Sequence, residues 1–395
     1  RINDSAVVLP LLRGLGSVAP TERRHLERLV IGFGPRAVPA VVNVLRDVRV
    51  SLAARSVAAR ALGKVALPQL EAMMPEMMDA LVQRLYFLVG CRQSLAERKS
   101  TEPGLACLAL VLADLPNLTL ELAFELLSVA GRLPGYESIV AALRSDNGKE
   151  RGFALESLEQ ACGRSLFHRL QPFLDMRDGE LVPLPSDQPG KGLPPLTLEA
   201  VVERSLSSRF PFEAAAALQA AVEMAPARSA EICRDMLRRN PPALASDTAR
   251  ILLQRTTGKR VDEPTMVERV YLLTGHVFFQ SWGMRSLDTV AAQLSELFHN
   301  PGEDVVRAGQ PAEAVGVVWS GACEVEVKTG WELRAAPTVV GREALGAEGV
   351  YRRSVRAVER SRILWIPADV IRRCVRTQPH IGLELLQWKL EHAQE

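Results

Sequence analysis

The stretch from Pro301 to Ile366 limits what this chain can become more than any other. Valines recur at alternate positions in short runs, and Gly302, Gly309, Gly321, Gly330, Gly341 and Gly349 interrupt them. Period-two alternation between glycine corners is the pattern of short strands joined by tight turns. In CEVEV, the alternation sends Cys323, Val325 and Val327 one way and Glu324, Glu326 and Lys328 toward water. Several such strands in succession predict a small antiparallel barrel or jelly roll.

The chain upstream has the opposite grammar. Residues 37–66, 137–163 and 198–225 each read as a helix, a short break and a second helix, and a further pair follows up to about 255. The second helices carry small or apolar residues on one face: Ala54, Ala58 and Ala61, then Ala154 and Leu158, then Ala215, Leu218 and Val222. Small side chains at that spacing let neighbouring helices approach closely. Residues 106–131 read as another hairpin, and Pro75 as the end or kink of a first turn in 70–90. Met73, Met74, Met77 and Met78 suit either a soft recognition patch or, preferably, gap filling between stacked helices. These units resemble HEAT repeats, with Arg151 where that family often opens its second helix with an arginine. The resemblance implies an α-solenoid.

The fold expected is therefore multidomain α + β, an N-terminal HEAT-like solenoid followed by a β jelly-roll barrel with flanking helices. The boundaries are 1–176 for the first repeats and 177–197 for a Pro/Gly-rich linker. Further repeats occupy 198–260, and the barrel with its helices 261–395. Before the barrel, Val277-Phe278-Phe279 fills a turn and Ser286 caps a helix running to Leu297. After it come two helices parted near Pro379, the last with a stripe of Leu383, Leu386 and Leu390.

The barrel segment resembles the cyclic-nucleotide-binding domain. The resemblance rests on Pro301-Gly302-Glu303, the Gly309 to Glu313 turn, the strand Val315 to Trp319, and Ser320-Gly321 through Val327. It implies a phosphate-binding cassette, in which a Glu accepts from the ribose hydroxyl and an Arg pairs with the cyclic phosphate. Without gaps, VGREAL falls on that cassette and YRRSVRA on its phosphate arm, so Arg342 stands for the Glu and Tyr351 for the Arg. Losing a buried charge-assisted pair costs on the order of 2–5 kcal/mol, roughly 30- to several-thousand-fold in affinity. A nucleotide-blind barrel is the preferred reading. The alternative slides the match by one residue, making Glu343 and Arg352 the pair with Arg353 and Ser354 beside them. That slip turns each strand side chain to the other face. Under the alternative, a cAMP or cGMP site would draw on Arg342, Glu343, Ala344, Tyr351, Arg352, Arg353 and Ser354.

Composition narrows the function classes. Hydrophobic residues make up 47% and charged residues 24% of 395, with a net charge of +2. That balance gives no general pull toward nucleic acid or anionic lipid, so neither is expected as a partner. Arg352, Arg353, Arg356, Arg360, Arg362, Arg372, Arg373 and Arg376 form the densest basic run, read as solvated faces. Cys91, Cys107, Cys162, Cys233, Cys323 and Cys374 are scattered, all but Cys91 within helical or strand patterns. Reduced buried thiols suit the cytoplasm. No run approaches a membrane span in length, so direct insertion is not expected. The six histidines lack metal-binding spacing, and no nucleophile elbow or phosphate loop is present.

These features lead to an expectation of a non-enzymatic regulatory or scaffolding protein with no cofactor, whose partners are proteins on the solenoid surface. Bacterial nucleotide-carrier-like transporters bear such a soluble tail, so the resemblance also implies a membrane transporter region in cis at the cytoplasmic face. Arg1, in place of a start methionine, is compatible with that.

Overall fold

The computed structural model describes residues 5–17, 20–47, 50–96, 101–143, 145, 147–174, 196–208, 210–258, 263–280, 282–346, 349–378, 381–383 and 385. Two compact units divide the chain, Arg1–Val261 and Asp262–Glu395.

The first unit is helical throughout its described residues. Its helices are α1 (Val8–Arg13), α2 (Pro20–Gly32), α3 (Val38–Arg46), α4 (Leu52–Val65), α5 (Leu67–Ala96), α6 (Pro103–Val129) and α7 (Tyr136–Leu143). There follow α8 (Gly148–Cys162), α9 (Arg164–Leu174), α10 (Leu198–Leu206), α11 (Pro211–Met224), α12 (Ser229–Arg238) and α13 (Ala243–Thr256). The hairpins α3/α4, α7/α8 and α10/α11 begin and break within a few residues of where residue order places them. Local signals explain the breaks: Ser51 Oγ accepts from Ala54 N at the start of α4, Asn147 Oδ1 from Lys149 N at the start of α8, and Pro211 opens α11. Ala54, Ala58, Ala61, Ala154, Leu158, Ala215 and Leu218 are buried, while Val222 is only partly so.

Two arginines at the fourth residue of a second helix do the same work. Arg55, itself buried, donates from Nε to Leu45 O at 3.1 Å, the last turn of α3. Arg151 donates to Leu174 O at 3.2 Å, the last residue of α9. Each satisfies a helix C-terminus that has no intrahelical partner of its own. Burial brings the Arg55 guanidinium down to about 10, which leaves it charged at neutral pH.

Three expectations are corrected here. Residues 106–131 are not a hairpin: α6 runs unbroken from Pro103 to Val129, with Pro116 inside it. Pro75 likewise lies within the thirty-residue α5 and does not end it. A proline forfeits one backbone bond, but α6 is apolar on most faces and α5 buries Leu70, Met73, Met74, Met77, Met78 and Leu81 along one side, and that burial outweighs the loss. Met73, Met74, Met77 and Met78 are buried in the core, in keeping with the preferred gap-filling reading. Cys91, placed outside regular structure by its neighbours, is buried in α5.

Contrary to the reading that no run approaches a membrane span, α6 is long and apolar enough to cross one. More than half of that stretch is buried in the protein, against α4, α5 and α11. The linker lies almost wholly outside the described residues. Helices on its two sides pack together: Phe87 of α5 sits between the guanidinium groups of Arg84 and Arg204, at 5.1 and 4.9 Å from its ring centre. Arg84 also pairs at 3.6 Å with Glu213 of α11.

The second unit begins with α14 (Met266–Thr274) and α15 (Met284–Ala291). Thr265 and Glu268 form a reciprocal capping box at the start of α14. Between the helices, Phe278, Phe279 and Trp282 make a buried aromatic knot, with ring centres 4.7 to 5.9 Å apart. Eight strands follow: β1 (Ser295–His299), β2 (Asp304–Val306), β3 (Ala314–Ser320), β4 (Ala322–Val327), β5 (Gly330–Ala335), β6 (Thr338–Val340), β7 (Val355–Ala357) and β8 (Ser361–Pro367). They form two antiparallel four-stranded sheets, ordered β1-β8-β3-β6 and β2-β7-β4-β5, the two-sheet arrangement of a jelly roll. Helix α16 (Ala368–Thr377) follows β8 directly. Leu383 is exposed, while Leu386, Leu390 and Pro379 lie outside the described residues.

The expected helix from Ser286 to Leu297 is corrected. Gly283 stands at the N-cap of α15, and the Ser286 hydroxyl instead donates to Gln378 Oε1 at 2.9 Å. The helix stops at Ala291, and Ser295–His299 pairs along β8 from Trp365 to Ser361. A full ladder of inter-strand bonds outweighs the weak helical preference of five residues.

Asp288 on α15 is half-buried, and burial pushes its carboxyl up from 3.8 to about 6. A folded-state value raised this way means that stability is greatest below 3.8 and is lost as pH climbs through about 6. Asp288→Asn is therefore expected to stabilise the unit at neutral pH by roughly 1–3 kcal/mol. It should bring no gain at about pH 4, a contrast that urea melts at the two pH values would read.

Candidate functional site: the cassette turn of the barrel

The cassette begins where β6 ends. Gly341 adopts a left-handed conformation (φ 72°, ψ 30°) and starts a 3-10 turn, Arg342–Leu345. That conformation suits glycine, and the space around it leaves no alternative. A Cβ on Gly341 would lie 2.8 Å from the ring of Tyr351 and 3.2 Å from Ala314 O.

Tyr351 is the centre of the site. Its side chain is 7% exposed, and its hydroxyl donates to Ala314 O on β3 at 2.9 Å. Its backbone is held on both sides: Tyr351 N donates to Gln310 O at 2.9 Å, and Gly309 N donates to Tyr351 O at 2.8 Å. Burial, with smaller contributions from Glu343 and Glu313, raises the phenol above its ordinary range, so it stays a neutral donor. A buried, satisfied phenol therefore fills the place beside the turn.

The other six residues divide. Ala344 is fully buried, and its carbonyl accepts from Arg372 of α16 at 2.8 Å, which ties the turn to that helix. Arg342 and Glu343 are half-buried on the turn. Arg352, next to Tyr351 in sequence, is exposed, and Arg353 is half-buried. Ser354 is committed to the backbone: its hydroxyl accepts from Ala308 N at 3.2 Å, and its own N–H and C=O bond Glu326. The structure thus gathers Gly341, Arg342, Glu343, Ala344 and Tyr351 at one turn. It sends Arg352 outward and Ser354 toward β4. Val355 and Ala357 of β7 are buried, as is Tyr351.

Residue order did not disclose Ala314 or Arg372 as parts of this site. Both act through main-chain carbonyls, as acceptor or as donor to one, so no side-chain pattern announces them. The basic run is dispersed and engaged. Arg356 pairs with Asp304 at 3.5 Å and stacks on Trp331, while Arg373 pairs with Asp369 at 3.3 Å. Arg362 pairs with Glu296 and stacks 4.0 Å from the Trp319 ring centre. An open cleft of about 470 Å³ lies along Gly302–Arg307 between His299 and Gln310, and none of the seven cassette residues lines it. Among the described residues no group of three or more His, Cys, Asp or Glu side chains is placed to hold a metal.

No family model matches the sequence, and no curated protein matches it. Solved structures of cyclic-nucleotide-binding-domain proteins do match, over the C-terminal part only. The sensor domain of the transcriptional regulator DNR from Pseudomonas aeruginosa is 20% identical, over 32% of this chain and 88% of its own, with a TM-score of 0.29. A cyclic nucleotide-binding-like protein from Brucella abortus is 19% identical over 28% and 98%, TM-score 0.24. The regulatory subunit of a cAMP-independent protein kinase A from Trypanosoma brucei is 16% identical over 37% and 51%, TM-score 0.29. Identities at this level concern fold alone, and scores this low carry no argument about function.

Proposed function

We propose that this chain is a non-catalytic regulatory or scaffolding protein whose barrel does not take a cyclic nucleotide. Tyr351 carries the reading. The resemblance assigns its position to the arginine that grips a cyclic phosphate, and here a buried phenol bonded to Ala314 O occupies it. A phenol at that point offers an anion no charge, and its one proton is already donated. Arg342, in the place of the sugar-binding glutamate, adds a cation where an acceptor is needed.

The helical unit supplies the second half of the proposal. Its stacked hairpins, with small residues buried between them, suit a HEAT-like solenoid that docks protein partners. A cytoplasmic setting beside a membrane transporter region in cis follows from the resemblance and belongs to the same proposal.

Titration calorimetry with cAMP and cGMP tests the pocket. No saturable heat is expected up to millimolar nucleotide. Micromolar binding that disappears in Arg352→Ala would instead establish the sensor with the shifted cassette.

A further inference from the structure

Strand β5 is the longest edge strand of either sheet, and five of its six residues are exposed. Long exposed edges invite pairing, and proteins usually blunt them with short strands, proline, a bulge or charged side chains, lysine above all. GWELRA has no proline or lysine, its pairing with β4 runs without a register shift, and its two charges, Glu332 and Arg334, are of opposite sign, so a second copy can meet them with complementary charge. The edge strand β2, by contrast, is three residues long with an irregular register.

The backbone of β5 is set for a further strand. Glu326 N donates to Ser354 O on the β7 side, and Ala336 N donates to Gly321 O on the β4 side. In an antiparallel ladder these groups alternate. Gly330, Glu332 and Arg334 therefore spend their backbone bonds on β4, and Trp331, Leu333 and Ala335 aim theirs off the edge. Trp331 and Leu333 share a face and are 44% and 65% exposed. Glu332 and Arg334 share the other and pair at 3.1 Å.

We propose that β5 pairs antiparallel with β5 of a second copy of this chain, with Leu333 on the two-fold axis. Charge selects both partner and register. Centred on Leu333, the pairing sets Glu332 opposite Arg334 of the other copy, twice over, and Leu333 against Leu333. Centred one residue earlier it opposes Glu332 to Glu332, and one residue later Arg334 to Arg334. Like charges directly opposite are destabilising, while opposite charges contribute. The favoured register also joins the outward-aimed N–H and C=O groups of Trp331, Leu333 and Ala335 to those of Ala335, Leu333 and Trp331. The inference is independent of whether the barrel binds a nucleotide.

Sedimentation of the full chain across the micromolar range should show a concentration-dependent dimer. Leu333→Lys, a change at an exposed site, should abolish it without altering the circular dichroism. Glu332→Lys and Arg334→Glu should each be monomeric alone, and mixing them should restore a dimer, because every cross-strand pair is then complementary. Register is read by cross-linking. Leu333→Cys should form an intermolecular disulfide on mild oxidation, since facing Cα atoms of a hydrogen-bonded pair lie about 5.5 Å apart. Trp331→Cys should not, being about 13 Å from its mate. The cysteine pair decides the matter even if Arg334→Glu, whose parent side chain is largely covered, fails to fold. A chain that stays monomeric, a dimer indifferent to Leu333→Lys, or equal cross-linking of the two cysteines would overturn the proposal.

Discussion

Arg60→Met is expected to destabilise the helical unit by about 2–4 kcal/mol, among the largest losses from any single side chain there. Arg60 on α4 binds Glu27 of α2 at 2.8 Å and also pairs with Glu125 of α6. It thus joins three helices that are far apart in sequence. The two carboxylates are 12% and 8% exposed, whereas Arg60 is 35% exposed. Burial alone would lower the Arg60 guanidinium, yet Glu125 and Glu27 together raise it. Removing the cation leaves two covered carboxylates without the guanidinium they share, while Lys64 remains 3.6 Å from Glu27. The loss is smaller than for a fully buried pair because Arg60 is partly in water. Chemical denaturation of the variant reads the loss. Adding Glu125→Gln to Arg60→Met should recover part of it, and a double-mutant cycle gives the coupling. Additive effects would mean that the cluster is ornamental.

Gly104→Ala is expected to cost about 3 kcal/mol or more, although alanine is the better helix former. Gly104 opens α6 where that helix meets α11. A Cβ there would lie 2.3 Å from Ala220 N and 2.7 Å from Ala220 Cα, and main-chain atoms cannot swing aside. The two helices would have to part. The Gly104 N–H would also draw away from the carboxylate of Glu223, which accepts it at 2.9 and 3.1 Å. Gly152 is the control. It lies within α8 with nothing near its missing Cβ, so Gly152→Ala should stabilise by roughly 0.5–1 kcal/mol. Thermal melts of opposite sign for the same chemical change would establish close helix contact as the cause.

The two ends of the chain were not equally legible. Alternating valines and glycine corners specify strands because both signals are local, and strands β3 to β8 form as that pattern indicates. Caps such as Ser51 and Asn147 are similarly local, which is why three hairpins break near the anticipated residues. Residues 106–131 read as a hairpin whose break spans Pro116, because nothing along the chain shows what packs against them. Burial of Leu108, Leu112, Leu122 and Leu126 against other helices holds α6 straight through it. Ser295–His299 was misread for the converse reason, since its partner strand lies more than sixty residues later.

At the cassette, residue order offers two matches to the family it resembles, one placing Arg342 and Tyr351 where a nucleotide would be gripped and one, a residue later, placing Glu343 and Arg352 there. Only the tertiary structure decided where those side chains go. Tyr351 is drawn inward by a carbonyl on another strand and by the space beside Gly341, and Arg352 is left at the surface. The same division holds for β5. Its six residues are recognisable as a strand from their order, but whether an edge is covered or open depends on how many strands the sheet finds, which no local pattern encodes.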